Sequence, residues 1–314
     1  MALSSLTFKG KIEGKRCSIM QLVKSKLKEN WVLFLGLPAL VLWLVFMCFP
    51  AIWAIVVSFT NEALVGKAAA HPRWVGFDNY IKLLKDSYFL NSITKSFIYV
   101  LGSAVIGQLG LGLLLAVLTR RRRRKKDKPP LLGPIATTVC YLGWISPAAV
   151  VGFMWLSTLD VEGSLNQLLH LNFTWIVDFP MISIIVINMW WGTGWSMTLM
   201  KSAIETIPPE IEECAEVDGA NKRQVFYHII LPIIKGPILV NLILITIWTY
   251  GVFDVPFMVT AGGPGRKTEL MTIFAYLTGF KYFDIGYGVT ISVGILVITL
   301  VLSLVYQQFL KKGG

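Results

Sequence analysis

Charge is scarce in this sequence. Only 15% of its 314 residues are Asp, Glu, Lys or Arg, against 55% hydrophobic, and the mean hydropathy is +0.64. Soluble globular domains carry about 25% charged residues, so an ordinary soluble fold is excluded. Histidine is rarer still, and His71, His170 and His228 lie too far apart to suggest a metal set or a catalytic triad. Four cysteines, Cys17, Cys48, Cys140 and Cys214, show no CxxC or metal-ligand spacing, so free thiols are expected. No Walker-type glycine spacing occurs anywhere, and no catalytic or metal-binding constellation stands out. No polar connection is long enough for a soluble effector domain, which counts against a membrane-anchored regulator or scaffold.

What is abundant is apolar sequence. Six runs, near residues 32–58, 93–118, 131–156, 181–203, 237–259 and 287–309, are long enough to cross about 30 Å of hydrocarbon. Pro38 and Pro50 predict kinks in the first. The net charge of +11 sits at the ends of these runs, which fits a membrane protein's cytoplasmic face rather than a nucleic-acid binder. Residues 1–30 are basic and lack a cleavage-site pattern, and the run that follows is too long for a signal-peptide core. Arg120 to Arg124, Lys125, Lys126 and Lys128 fill the second-to-third connection, whereas residues 159–180 hold no Lys or Arg. The positive-inside rule then places both termini and residues 204–236 in the cytoplasm. On this reading Arg120–Arg124 is a topology determinant at an anionic leaflet.

One polar stretch, Ile207 to Pro232, organises the rest. Pro208 and Pro209 suit a first helical turn, where a missing N–H costs nothing. Glu210 to Val217 reads as a short helix, Gly219 fits the left-handed residue that ends it, and Asn221 with Gln224 predicts a capping box for a second helix. Glu210, Glu212, Glu213, Glu216 and Asp218 crowd together with no base among them, beside a small apolar side of Ile211, Cys214 and Ala215. An acidic rim of this kind suits docking to a basic partner. Glu213-Cys214-Ala215, then Asp218-Gly219-Ala220, with Phe226, Leu231-Pro232 and Pro237 downstream, resembles the EAA loop of permease subunits in binding-protein-dependent ABC importers. Cys214 departs from the usual Ala, a small-for-small change, and Asn221 from a usual Ser. Two further elements resemble the carbohydrate-uptake branch: Trp74-Val-Gly-Phe-Asp-Asn-Tyr80, expected as an interfacial helix at the outer surface, and Gly262-Gly-Pro-Gly265 with Thr268, expected as a turn at the pore mouth.

A candidate solute path lies in the fourth run. Asn188, Trp191, Gly192 and Trp195 fall at i, i+3, i+4 and i+7 and share one helix face. An amide at that depth is costly unless it meets protein, water or solute. Aromatic faces beside an amide and a glycine gap suit a sugar ring. In the fifth run, Thr246, Trp248, Thr249, Tyr250 and Phe253 are further candidates, with Thr249 and Phe253 taken as pathway residues, while Asp254 falls at the interface.

The resemblance implies an all-α polytopic membrane protein of the ABC importer permease type: six transmembrane helices and a cytoplasmic coupling helix. The basic segment 1–30 precedes a permease domain over 31–314, whose coupling loop spans about residues 205–236. It implies ATPase coupling through Glu210, Glu213, Cys214, Ala215, Asp218, Gly219, Phe226 and Pro232, and partners comprising a second permease, two ATPase subunits and an extracytoplasmic solute-binding protein. ATP and Mg would be bound by those ATPases and no cofactor by this chain, which would reside in the prokaryotic inner membrane. Oligosaccharide uptake is favoured over glycerol-phosphate or another polyol ester because the candidate path holds no base. A stand-alone secondary transporter is disfavoured, because no coupling charge lies inside a run.

Overall fold

The computed structural model describes residues 36–120 and 132–313. The chain divides into two compact units, residues 1–56 and 57–314. Residues 1–30 and Arg121–Arg124, on which topology expectations rest, lie outside the described residues.

The described part of the first unit is helix α1 (Gly36–Val57). It widens into a π-helical turn over Leu44–Cys48, closed by Phe49 N–H on Leu44 O. Pro50 follows at once: it has no N–H for the carbonyl four residues back and its ring crowds that carbonyl, and the wider turn gives the ring room. The expected kink is thus a widened turn.

In the second unit the helices are α2 (Asp78–Lys85), α3 (Ser87–Thr119), α4 (Leu132–Ile145), α5 (Ala148–Thr158), α6 (Ser164–Leu169) and α7 (Pro180–Glu205). There follow α8 (Pro209–Val217), α9 (Lys222–Ile233), α10 (Lys235–Tyr250), α11 (Asp254–Thr260), α12 (Met271–Tyr276) and α13 (Ile285–Gly313). Among the described residues the one β feature is an isolated bridge between Thr60 and Trp74. Local chemistry sets several boundaries. Asp86 caps α3 by accepting Tyr88 N–H at 2.8 Å, and Pro180 and Pro209 open α7 and α8. In α9 a second π-helical turn, Phe226–Ile230, precedes Pro232 just as the first precedes Pro50.

Among the described residues three helices, α1, α3 and α13, have the length and apolarity to cross a membrane, or five if each of two bent pairs counts as one. The bent pairs correct the run boundaries. Residues 131–156 are no single helix: α4 and α5 meet at 111° across Ser146-Pro147. The fifth run stops at Tyr250, and α11 is a separate helix beyond a break. Helix α7, 26 residues long, stands outside that set because Asn188, Thr193, Ser196 and its tryptophans dilute its centre. That same polar centre faces inward.

Helices α3 and α7 pack by glycine. A Cβ on Gly112 would sit 2.5 Å from Ser196 Cβ and 2.9 Å from Met197 N, and one on Gly102 would sit 2.9 Å from Ile185 Cδ1. In hydrocarbon, close backbone approach supplies the dispersion that water cannot drive. Buried amides add interhelical bonds: Asn188 Nδ2 donates to Ser103 Oγ at 2.9 Å, and Asn241 Nδ2 to Ser196 Oγ at 3.1 Å. A π-helical stretch in α3, Leu101–Gln108, brings Gln108 Nε2 within 3.1 Å of Asn188 O.

The aromatic motif expected at the interface binds the chain to itself. Asn79 Nδ2 donates to the carbonyls of Ser58 (2.9 Å) and Thr60 (2.8 Å), and the Tyr80 hydroxyl lies 2.6 Å from Ser58 Oγ. Trp74 stacks on Phe59 at 5.4 Å, ahead of α2 rather than within it. In the glycine turn, Gly262 and Gly265 take φ of +88° and +56°, and Thr268 Oγ1 donates to Gly263 O at 2.7 Å. That turn is the structure expected there.

Candidate functional site

Four helices enclose a cavity of about 260 Å³ lined by Gln108, Trp144, Asn188, Trp191, Gly192, Trp195, Ile245, Trp248, Thr249 and Val252. Helix α7 contributes its i, i+3, i+4, i+7 face; α10 contributes Ile245, Trp248 and Thr249, and Val252 follows just past its end. Five of the six pathway residues expected from sequence are thereby brought together.

Phe253 is not among them, which corrects that expectation. Helix α10 ends at Tyr250, and Phe253 turns into an aromatic stack with Phe257 (4.7 Å) and Tyr276 (5.0 Å). Thr246 and Tyr250 also point elsewhere, toward Tyr306 Oη and Met271 Sδ. Asp254 is exposed at the start of α11. Gln108 and Trp144 enter the cavity unforeseen. Gln108 is the sole amide in residues 93–118, a signal the apolar count passes over.

The cavity wall is aromatic and uncharged. Trp195 packs against Trp144 (5.6 Å) and edge-on against Trp248 (4.9 Å), while Trp191 Nε1 donates to Ser146 O at 3.2 Å. Trp195 Nε1 is buried with no hydrogen-bond partner among the described residues. Its donor, the Gln108 and Asn188 amides and the Thr249 hydroxyl are the polar equipment of an otherwise apolar chamber. Apolar pockets with a few placed polar groups are the usual form of a small-molecule site. Gly192 keeps the wall open, because a Cβ there would overlap the Gln108 amide.

At the α8 end, the anticipated punctuation is present. Gly219 takes φ +86°, with Ala220 N–H on Ala215 O (2.9 Å) and Gly219 N–H on Glu216 O (3.1 Å), a complete Schellman motif. Asn221 Oδ1 accepts from Arg223 and Gln224 N–H at 3.0 Å, and Gln224 Oε1 accepts Asn221 N–H at 2.7 Å. Glu210, Glu213, Cys214, Asp218 and Gly219 are exposed, as is Pro232, whereas Ala215 and Phe226 pack against a core of Met197, Met200, Ile204 and Val225. Asp218 and Gly219 border an open hollow of about 350 Å³ shared with Gln224 and His228.

The acidic helix does meet a base, contrary to its local sequence. Arg120, 92 residues away, lays its guanidinium on Glu212 with Nη1–Oε1 2.7 Å and Nη2–Oε2 2.9 Å. The sequence reading makes Arg120–Arg124 a topology determinant. Here the first base of the run is a structural partner of α8.

Away from both places, Glu269 is buried in the turn before α12, with Oε2 3.4 Å from Arg266 Nε. Burial raises its carboxyl above the ordinary value of 4.5; Arg266 opposes that rise and Asp86 adds to it.

Residues 108–312 match the family described as binding-protein-dependent transport system inner membrane component, and the chain belongs to it. It is 29% identical over 282 residues to the sulfoquinovosyl glycerol transport system permease protein SmoG of Agrobacterium fabrum, spanning 87% of this chain and 88% of that one. To the sn-glycerol-3-phosphate transport system permease protein UgpA of the same organism it is 26% identical over 282 residues, spanning 88% and 92%. A solved bacterial alginate ABC transporter, in complex with alginate pentasaccharide-bound periplasmic protein, has a chain of the same fold: TM-score 0.75, 20% identity, 90% of this chain and 94% of that one. The chain is therefore a permease component of the ABC transporter type, and its described residues are almost entirely helical.

Proposed function

We propose that this chain forms half of the translocation path of an ATP-driven importer for a neutral sugar or oligosaccharide. The observation that carries the substrate class is the cavity: four indoles, two amides and a hydroxyl, with no ionisable residue in its lining. Sugar rings present C–H patches to aromatic faces and hydroxyls to amides. An anionic solute would be left without a counter-charge at cavity depth, a cost of several kcal/mol per ion by order of magnitude. Glycerol phosphate and sulfonated sugar glycosides, named for the relatives, remain the rival cargo.

The reading extends to assembly. Six spans with both termini in the cytoplasm, a second permease, two ATPases that hold ATP and Mg, and an extracytoplasmic binding protein complete the transporter. Helix α8 is the docking element, presenting Glu210, Glu213, Cys214 and Asp218 to an ATPase. The turn at Gly219 and the packed residues Ala215 and Phe226 hold that face in place, and Pro232 leads the chain on to α10.

Two measurements test this. The tagged chain is purified from its native membrane in mild detergent, as wild type and as Glu213→Lys. An ATPase and a second permease should accompany the wild type and be lost from the variant. The purified assembly in vesicles with ATP is then offered radiolabelled maltotriose and glycerol 3-phosphate. Uptake of the phosphate alone would overturn the neutral-sugar assignment, and solute transport by the isolated chain would overturn the importer.

A further inference from the structure

We propose that α3 is a tie between the cavity and α8, and that the Arg120–Glu212 pair is its fastening. The inference rests on the reading of α8 as the helix an ATPase moves.

Gln108 lies inside α3, its amide bonded to Asn188 O and fitted against Gly192 at the cavity wall. Eleven residues later, about 17 Å at 1.5 Å per residue, α3 ends at Thr119, and Arg120 just past that end grips Glu212 in the first turn of α8. Helix α7 runs alongside and joins α8 through Thr206, Ile207 and Pro208. So α8 is joined covalently to α7 at one end and to α9 at the other, and electrostatically to α3 between them. Helices α3 and α7 also approach each other closely, Gly112 lying against Ser196 and Met197 where a Cβ would not fit.

A short helix connected only through its two ends can still tilt about the line that joins them. A side-chain anchor between the ends opposes that tilt, and a bidentate guanidinium fixes direction as well as distance. The pair is well placed to hold: side-chain exposures are only 11% and 20%, so salt and water screen it less than a surface pair. Displacement of α8 is then delivered to Gln108, and through it to the cavity wall, as well as along α7.

The test uses the complete importer in lipid vesicles, with Thr249→Cys as a reporter in the cavity, Cys17, Cys48 and Cys140 replaced by serine, Cys214 of the docking face kept, and labelling read at residue 249 by peptide mapping. A membrane-impermeant maleimide labels the reporter without nucleotide and after trapping with ATP and vanadate. With the ion pair intact, trapping should change the labelling rate by about fivefold or more, the lower end of ordinary coupling between sites. Arg120→Gln and Glu212→Gln should abolish the change while the ATPase still co-purifies and hydrolyses ATP; the reversed pair Arg120→Glu/Glu212→Arg should restore it. Single variants that respond like the parent overturn the tie, since a merely structural pair would leave the response untouched. If a single variant fails to assemble, the reversed pair decides: a restored response supports the fastening and an absent one overturns it. A parent chain that brings down no ATPase overturns the reading of α8 itself, and the tie with it.

Discussion

A methyl group added at Gly192 and one added at Gly112 would meet different opponents across the same α3–α7 contact. At Gly192 the opponent is the end of the Gln108 side chain, which can rotate away if it gives up its bond to Asn188 O. At Gly112 it is Ser196 Cβ and the Met197 backbone nitrogen, which cannot move without α7. Gly112→Ala is therefore expected to lower stability by about 1–3 kcal/mol, the usual penalty of overpacking, read as thermal unfolding in detergent. Gly192→Ala should leave that transition within about 1 kcal/mol of the parent yet depress uptake, since it displaces a cavity amide. Equal unfolding temperatures for the two would refute the distinction. Glu269 offers a pH test. Its folded carboxyl titrates above 4.5, so ionisation costs the folded state: the parent's contribution is full below 4.5 and is lost as pH rises through the raised value. Glu269→Gln cannot ionise, and its stability relative to the parent should improve from pH 4 to pH 8. A flat or falling difference would rule this out. Side chains of the α7 face were legible in the sequence, because helical spacing alone puts Asn188, Trp191, Gly192 and Trp195 together. Gln108 was less so, for one amide in an apolar run says that a polar partner exists without saying where.

At the scale of the element, α8 and its turn were readable almost residue by residue. Pro209, Gly219, Asn221 and Gln224 each act through bonds to residues within five positions, and short-range chemistry leaves a short-range signature. The cost of changing one can be stated the same way. Nothing lies within 4 Å of a Cβ built on Gly219, so Gly219→Ala meets no clash and the whole penalty is conformational, about 1–2 kcal/mol for a side chain at positive φ. Asn221→Ala removes a cap accepting two N–H groups and should cost about 1 kcal/mol. Gly219→Asn, which tolerates the left-handed region, should recover much of the first loss. Denaturation of the purified chain reads all three, and a Gly219→Asn no better than Gly219→Ala would mean that φ is not what the glycine supplies. The ends of α4 and α10 were less legible. An apolar run records how much hydrocarbon a segment tolerates and not its direction, so the 111° bend at Ser146-Pro147 and the break after Tyr250 passed as continuous spans. Pro147 was the visible warning.

Across the whole molecule, the cavity is made by four helices drawn from residues 108 to 252, and the ion pair on α8 joins positions 92 apart. No window of sequence contains either, which is why Trp144 went unassigned and Arg120 read as a topology charge while their partners on α7 and α8 stood out. The same convergence makes the chamber testable as a unit. Trp195 stands at its centre, between Trp144 and Trp248, with an N–H that no described residue accepts. If a solute hydroxyl is its partner, Trp195→Phe keeps an aromatic wall and loses one hydrogen bond, about 0.5–1.5 kcal/mol. The half-saturating solute concentration for ATP-driven uptake should then rise roughly two- to tenfold at nearly constant maximal rate, the sign of binding shared by ground and transition states. Trp195→Leu also removes the ring and should cost more than Trp195→Phe, while ATPase co-purification stays intact in both, since α8 lies outside the chamber. Saturation curves for both variants settle the point. A Phe variant that matches the parent would return Trp195 to a packing role, with its buried N–H left to water.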